Sequence, residues 1–156
     1  MPTAALKPRP VWSDRFARPD AEALATGFPK LAQGAFDLAR ARLKAIEDVR
    51  EEVQWRGVWN WTFAYLTDDG EPPIGFLVPD PERPRLCLPF PDALIADLPV
   101  RKLARGVRDV LAHAPVVDGL RWPMWDLSTK TETEDLLALL NFRRTPARAG
   151  RDGAAG

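Results

Sequence analysis

Tryptophan is the residue type in this sequence best suited to holding a ligand. Five of the six tryptophans fall in or beside two segments predicted to be strands, and they are Trp55, Trp59, Trp61, Trp122 and Trp125. On one sheet face their indole rings would form an apolar pocket with N–H donors at its rim. Such a pocket suits a planar or cationic ligand, which stacking and cation–π contacts would hold. A sealed aromatic core under a helix is the alternative interpretation of the same residues.

Polar residues beside the tryptophans extend the predicted pocket. Asn60 and Arg121 each precede a tryptophan, so they would place hydrogen-bonding groups next to the indole rings. Arg121 would also pair with an acidic ligand group, and such polar groups give a pocket its specificity. The predicted ligand-binding residues are Trp59, Asn60, Trp61, Tyr65, Arg121, Trp122 and Trp125.

Carboxylates form a second group that could do chemistry. Four of them lie at i,i+4 spacing within a predicted helix, namely Glu47, Asp48, Glu51 and Glu52. Hard cations such as iron and magnesium accept carboxylate oxygens as ligands. Basic side chains interleave with these acids and would neutralise much of their charge: Arg40, Lys44 and Arg50. A solvated helix face explains the pattern more simply, and neither a metal site nor a cofactor is predicted.

The remaining reactive residue types are scarce and scattered. The chain has one histidine, His113, where a predicted helix ends, and one cysteine, Cys87, between two leucines of a predicted strand. A basic stripe of Arg101, Arg105 and Arg108 could bind phosphate, but a charged outer helix face explains it more simply. No glycine-rich phosphate loop is present. The sequence therefore predicts no catalytic residues and favours a protein without catalytic activity.

Composition narrows the classes of partner and compartment. Apolar residues make up 46% and charged residues 28% of the chain, a balance typical of globular proteins rather than disordered or collagen-like ones. Lys plus Arg and Asp plus Glu both number 22, so no net field draws the chain to nucleic acid or acidic lipid. No apolar run reaches about 18 residues and no secretion signal is present, which predicts a cytoplasmic protein without membrane association.

The hydrophobic periodicity predicts an α+β fold. A helical period over 29–53 changes to alternation after Gly57, and three strands follow at about 58–66, 74–78 and 85–90. A helix over 99–113, a fourth strand over 120–127 and a leucine-rich terminal helix complete the pattern. We therefore expect an antiparallel sheet of about four strands, covered by a long N-terminal helix and two further helices.

Charge and proline placement divide the chain into three parts. Residues 1–19 are a basic, proline-containing segment, in which Trp12 and Phe16 are expected to pack as a pair onto the body. Residues 20–142 form the predicted single domain, and 143–156 a flexible basic tail. Each end carries a net charge of +3, so the central part has a net charge of −6.

Three segments resemble a family of small bacterial domains of unknown function, the YdhG-like group, which includes frataxin-like iron chaperones. They are Val58-Trp59-Asn60-Trp61-Thr62-Phe63-Ala64-Tyr65, Leu86-Cys87-Leu88-Pro89-Phe90 and Gly119-Leu120-Arg121-Trp122, the last ahead of a polar-then-leucine helix over 128–140. The resemblance covers about residues 29–142 and implies an α+β fold with an antiparallel sheet. It implies no established reaction and no catalytic residues. Pro89 and Pro123 depart from the pattern and leave the pairing of their strands open.

Three hypotheses about function follow. The favoured one is a non-catalytic ligand-binding or interaction module that uses the aromatic sheet face for an unidentified small molecule or protein partner. Metal handling through the helix carboxylates is the first alternative, and an enzyme of unknown reaction is the second. Nucleic acid is disfavoured because no aromatic residue interleaves with the basic stripe. An uncovered sheet edge would allow a homodimer.

Overall fold

The computed structural model describes residues 11–96, 98 and 102–140. Its helices are α1 (Ala21–Leu24), α2 (Lys30–Lys44), α3 (Asp92–Ile95), α4 (Arg105–His113) and α5, which is helical over 130–140. Its strands are β1 (Val49–Trp55), β2 (Trp61–Thr67), β3 (Gly75–Val78), β4 (Arg85–Cys87), β5 (Phe90–Pro91), β6 (Val116–Val117), β7 (Leu120–Arg121) and β8 (Met124–Asp126). The tail predicted over 143–156, residues 1–10 and Arg101 of the basic stripe lie outside the described residues.

The central layer is an antiparallel sheet with the strand order β1-β2-β3-β4-β8. Strands β1 to β4 form an antiparallel meander, in which each strand pairs with the next one along the chain. Strands β2, β3 and β4 correspond to the three strands predicted after Gly57, whereas β1 lies in the segment predicted to be helix. β8 pairs with β4 and forms an edge of the sheet, where a strand preceded by proline is tolerated. A second, smaller sheet has the order β5-β7-β6. The α+β class is as predicted, but five strands and a second sheet replace the four strands expected.

The long N-terminal helix expected over 29–53 is shorter, because α2 ends early and β1 occupies much of the remainder. Val49 and Val53 are four residues apart, a spacing that fits a helical stripe and an alternating strand equally well. Asp48, with φ of 65°, turns the chain between the two elements. Within β1, Glu51 shares a face with the two valines. A charged residue at this inward position interrupts the apolar–polar alternation by which a strand is predicted from sequence.

The two faces of the five-stranded sheet bury different side chains. The inner face carries Trp61, Phe63 and Tyr65 of β2, which belong to the same core as the buried residues of α2. Phe63 meets Phe36 of α2 edge-on, with ring centroids 5.8 Å apart. The outer face buries a smaller group: Ala64, Phe76 and Cys87. The alternation predicted for this part of β2 is therefore confirmed.

Two of the predicted strands are each divided at a proline. The strand expected over 85–90 becomes β4 and β5, with Pro89 between them, and the strand expected over 120–127 becomes β7 and β8, with Pro123 between them. In both cases the two halves belong to different sheets. Proline has no N–H to donate to a ladder, so the chain changes partner strands at these positions.

Helix positions agree only partly with the sequence pattern. The described part of α4 begins at Arg105, after residues 102–104 without α-helical structure, and ends at His113 as predicted. Thr129 begins α5, since its hydroxyl oxygen accepts from the backbone N–H of Glu132 at 3.3 Å. Across the described residues, no helix combines the length and the apolar character that a membrane span requires.

The N-terminal segment docks through one of its two aromatic residues. Trp12 donates its indole N–H to the carbonyl of Trp59 at 2.9 Å, and Trp61 donates its own to the carbonyl of Asp14 at 2.7 Å. Phe16 is 90% exposed, so the expected packing of Trp12 and Phe16 as a pair is wrong. The two indole–carbonyl hydrogen bonds hold this segment against the start of β2 and the loop before it.

Candidate functional site

The predicted ligand-binding residues do not form one site. Trp59 and Trp122 meet on the outer face of the sheet, where both pack against Phe76. Three of the others are buried on the inner face: Trp61, Tyr65 and Trp125. The sequence alternation placed Trp59 on the face of Trp61, and this is wrong because residues Gly57–Trp59 form a 3-10 turn instead of strand.

Phe76 is the centre of the outer aromatic cluster, which we define as Trp59, Phe76 and Trp122. The ring of Trp59 meets that of Phe76 edge-on with centroids 5.5 Å apart, and Trp122 stacks on Phe76 at 5.9 Å. The guanidinium carbon of Arg56 lies 4.5 Å from the centroid of Phe76, within cation–π distance. Phe76 is fully buried and the two tryptophans are partly exposed, so the indoles present aromatic surface to solvent.

The loop between β1 and β2 places Trp59 and Arg56 on this face. Its 3-10 turn is closed by the backbone N–H of Asn60, which donates to the carbonyl of Gly57 at 2.9 Å. Gly57 and Asn60 both have positive φ, 58° and 59°. With ψ of −145°, Asn60 lies outside the left-handed helical region, in a conformation that residues with a side chain rarely adopt. This backbone reversal at Asn60 separates Trp59 from Trp61. Asn60, predicted to contact a ligand, is not among the residues that line the surface cavity beside Trp59 and Trp122.

The hairpin of β6 and β7 places Trp122. Asp118 and Gly119 form its two-residue turn, with φ of 52° and 78°, as a type I′ turn requires. Just after β7, the backbone N–H of Trp122 donates to the carbonyl of Pro115 at 2.9 Å. An Asp-Gly pair between apolar residues is a strong hairpin signal, so this element could have been found from the sequence.

A surface cavity of about 300 Å³ opens between this loop and this hairpin. We call it the outer cavity, and its wall is formed by Arg56, Val58, Trp59, Pro115, Val117 and Trp122. Val58 is 91% exposed and Val117 is 54% exposed, so apolar side chains stand at the rim. Two indoles and one guanidinium therefore border the same open space.

Arg56 is the cationic group of the outer cavity. Its Nη1 donates to the side-chain oxygen of Gln54 at 3.0 Å, which positions the guanidinium without neutralising it. Among the described residues, no carboxylate forms an ion pair with Arg56. The charge of Arg56 is thus available to an acidic group that enters the cavity. Sequence reasoning missed this residue because it precedes the predicted strand.

Arg121 does not line the outer cavity. Its guanidinium donates to the carboxylate of Asp92 at 2.8 Å and to the carbonyls of Leu111 and Ala112 at 2.8 and 3.2 Å. The two carbonyls belong to the last turn of α4, where the helix dipole favours a positive charge. Arg121 therefore ties β7 to α3 and α4, and Arg56 takes the place of the cation expected beside the indoles.

Tyr65 belongs to a buried polar network on the inner face. Its hydroxyl donates to Glu51 at 2.7 Å, and Arg40 of α2 donates to both carboxylate oxygens of Glu51 at 2.9 Å. Burial alone would raise the pKa of Glu51, but hydrogen bonds from Arg40 and Tyr65 and the positive charges of Arg40 and Lys44 hold it below its usual value. Burial raises the pKa of Tyr65 well above its usual range. The network links α2 to the sheet.

Acid should weaken this network. The ionised carboxylate of Glu51 contributes stability above its unfolded-state pKa of about 4.3, and the contribution is lost as the pH falls through the lower folded-state pKa. We expect the unfolding free energies of the wild type and a Glu51→Gln variant to converge below about pH 4. Urea unfolding of both proteins across this range measures the difference. A difference that persists unchanged in strong acid would show that Glu51 is not held in its charged form.

The carboxylates considered for metal binding lie apart. Glu51 faces inward from β1, Glu52 lies on the outer face of the same strand, and Glu47 and Asp48 are exposed in the turn before it. The prediction that these four acids lie at i,i+4 spacing on one helix face is therefore wrong, because none of them is helical. Within the part of the chain that the structure describes, no three His, Cys, Asp or Glu side chains are grouped as a metal site.

The other predicted reactive groups have ordinary surroundings. Cys87 is fully buried, and burial raises the pKa of its thiol to about 12 despite the opposing charge of Arg56. A thiol that stays protonated at neutral pH is a poor nucleophile. The Nδ1 atom of His113 lies 2.9 Å from the carbonyl oxygen of Asp109 in the last turn of α4. Arg105 of the basic stripe pairs with Asp109 at 3.8 Å.

Comparison with known proteins assigns this chain to no family. No protein-family model, curated protein or solved structure matches the chain. The resemblance to the YdhG-like group therefore stays a prediction from the sequence.

Proposed function

We propose that this protein is a non-catalytic binding module and that the outer cavity is its ligand site. The observation that supports this proposal is the placement of Trp59, Trp122 and Arg56 around one open space of about 300 Å³. Two segments distant in the chain, 56–59 and 115–122, supply its wall. Aromatic and apolar walls with few polar groups are typical of small-molecule sites.

The ligand that fits the outer cavity best is a planar molecule with an acidic group. The two indoles offer surface on which a flat ring can stack. A guanidinium forms charge-assisted hydrogen bonds with carboxylate or phosphate oxygens. A cationic ligand, which the sequence also allowed, would be repelled by the unpaired charge of Arg56. The sequence allowed planar or cationic ligands, and the structure favours planar anions among them.

Calorimetric titration with 2-naphthoate, a planar carboxylate, tests this proposal. We expect saturable binding to the wild type and about tenfold weaker binding to Arg56→Gln, since a hydrogen bond to a charged group contributes about 1.5–3 kcal/mol. Arg42→Gln is the matched control, because it removes one exposed positive charge from α2, on the other side of the sheet. That variant should bind like the wild type.

Two results of this titration would refute the planar-anion proposal. One is an equal affinity of the Arg56→Gln and Arg42→Gln variants for 2-naphthoate. The other is tighter binding of 2-naphthylmethylamine, which has the same ring system and a positive charge. Thermal unfolding of each variant, measured alongside, separates lost binding from lost folding.

A protein partner is the second candidate occupant of this surface. Val58, Val116 and Val117 are 91%, 46% and 54% exposed, and apolar exposure of this kind is characteristic of interaction surfaces. A partner chain would cover the valines, whereas a small ligand would contact mainly the indoles and Arg56. Concentration-dependent association that is lost in Val58→Asp, without any binding of 2-naphthoate, would favour the partner chain.

A further inference from the structure

A second cavity, of about 370 Å³, lies between α4, β8 and α5 and shares no lining residue with the outer cavity. Its buried wall includes Val107, Trp125 and Leu136, which are 7%, 5% and 3% exposed. Three exposed carboxylates also line it: Asp126, Glu132 and Asp135. None of the described residues that form its wall is basic. We call this space the acidic cavity.

The indole N–H of Trp125, in the wall of the acidic cavity, is buried without a partner. Its Nε1 atom has no hydrogen-bond acceptor among the described residues. The indoles of Trp12 and Trp61, in contrast, both donate to backbone carbonyls. Buried donors are paired in the great majority of cases. An acceptor on a molecule that enters the cavity would satisfy this donor.

The negative charge of the acidic cavity is only partly neutralised by the protein. Asp126 forms an ion pair with Arg83 at 3.4 Å. Glu132 and Asp135 form no ion pair with any residue that the structure describes. They are three residues apart in α5, so they are neighbours on one side of the helix. Two carboxylates without an ion-pair partner among the described residues, beside an apolar wall, are complementary to a positively charged group on an apolar body.

The free edge of β8 adds further acceptors to this cavity. The carbonyl of Pro123 and the N–H of Leu127 bond toward β4, to Leu88 and Pro84. Backbone direction alternates along an antiparallel strand, so the carbonyls of residues 124 and 126 point away from β4. Both residues line the acidic cavity. An ammonium group, with several N–H donors, suits such a set of acceptors.

We propose that the acidic cavity binds a small organic amine that carries a hydrogen-bond acceptor at its far end. The ammonium group pairs with Glu132 and Asp135 at the exposed rim. The apolar body packs against Val107 and Leu136, and the acceptor receives the indole N–H of Trp125. An anion of the same shape is repelled, and a neutral analogue loses the ion pairs. This site is independent of the outer cavity and of the planar anion proposed there.

Tyramine, an arylalkylamine with a phenolic oxygen, is the probe for this proposal. In NMR titrations of the full chain, we expect tyramine to shift the indole N–H signal of Trp125 saturably at concentrations up to about 10 mM. Tyrosol, its neutral analogue, should bind at least about tenfold more weakly, and 4-hydroxyphenylacetate should not bind. Phenethylamine, which lacks the phenolic oxygen, should bind more weakly than tyramine and leave the Trp125 signal less perturbed.

Double substitutions test whether Glu132 and Asp135 supply the negative charge that binds the amine. We expect E132Q/D135N to weaken tyramine binding by about tenfold or more. E47Q/E82Q removes two exposed carboxylates elsewhere in the chain and should leave tyramine binding unchanged. All four positions are exposed, so both variants should fold, which thermal unfolding checks. The proposal is overturned by a Trp125 signal that does not respond to tyramine, by equal binding of 4-hydroxyphenylacetate, or by full affinity in E132Q/D135N.

Discussion

Replacing Glu51 by glutamine should destabilise the fold by about 1.5–3 kcal/mol, the usual contribution of hydrogen bonds to a charged group. The side chains of Glu51 and Arg40 are only 11% and 13% exposed, and two hydrogen bonds of 2.9 Å join them. Glutamine has the same size but removes one of the two carboxylates paired with Arg40, which keeps its ion pair with Glu22 at 3.1 Å. The hydroxyl of Tyr65 also loses a charged acceptor. Urea unfolding at neutral pH measures the loss as a lower free energy of unfolding.

Glu52→Gln is the matched control for this prediction. Glu52 is the next residue of β1, lies on the outer face and is 42% exposed, so its substitution should change the stability by no more than about 0.5 kcal/mol. A helix over 29–53 would instead place both glutamates on one charged face. Equal and small effects of the two substitutions would therefore contradict the strand and its buried ion pair.

Replacing Trp61 by alanine should cost about 3–5 kcal/mol of stability, as truncation of buried aromatic side chains does. Trp61 is 7% exposed, and its ring meets that of Trp55 edge-on at a centroid distance of 5.6 Å. The substitution also removes the indole donor that holds the carbonyl of Asp14, so the N-terminal segment loses one of its attachments. The shift of the denaturation midpoint measures this cost.

Phe16→Ala provides the comparison for the tryptophan. It also truncates an aromatic side chain, but Phe16 is 90% exposed and should be replaceable with little change in stability. If the midpoint of Trp61→Ala were unchanged as well, the inner face of β2 would not be the main core of the protein. A large effect at Phe16 would place the N-terminal segment differently from the structure.

The sequence predicted the α+β class and the antiparallel sheet because the aromatic residues of β2 alternate along the chain and short loops join β2, β3 and β4. It did not predict β1, because a valine spacing of four residues fits both a helix and a strand. In the sequence, Glu51 falls among other charged residues and was therefore assigned to the charged face of a helix. Only the partners Arg40 and Tyr65, distant in sequence or on another strand, explain a carboxylate at that position.

The outer cavity was predictable only in part. Trp59 and Trp122 were both expected at a ligand site, and the structure brings them together across the ring of Phe76. The separation of Trp59 from Trp61 depends on a positive φ at Asn60, which alternation cannot show. Arg56 joins the cavity because the loop folds back over the outer face. Such placements depend on tertiary contacts and not on local periodicity.

An NMR titration with 2-naphthoate, followed at the indole N–H signals of the six tryptophans, tests the binding role of the outer cavity most directly. We predict saturable shifts at Trp59 and Trp122, whose indoles line the cavity, and unchanged signals at Trp55 and Trp61, which lie on the inner face. The absence of a saturable shift at Trp59 and Trp122, or shifts confined to Trp55 and Trp61, would contradict the proposal that this cavity is the ligand site.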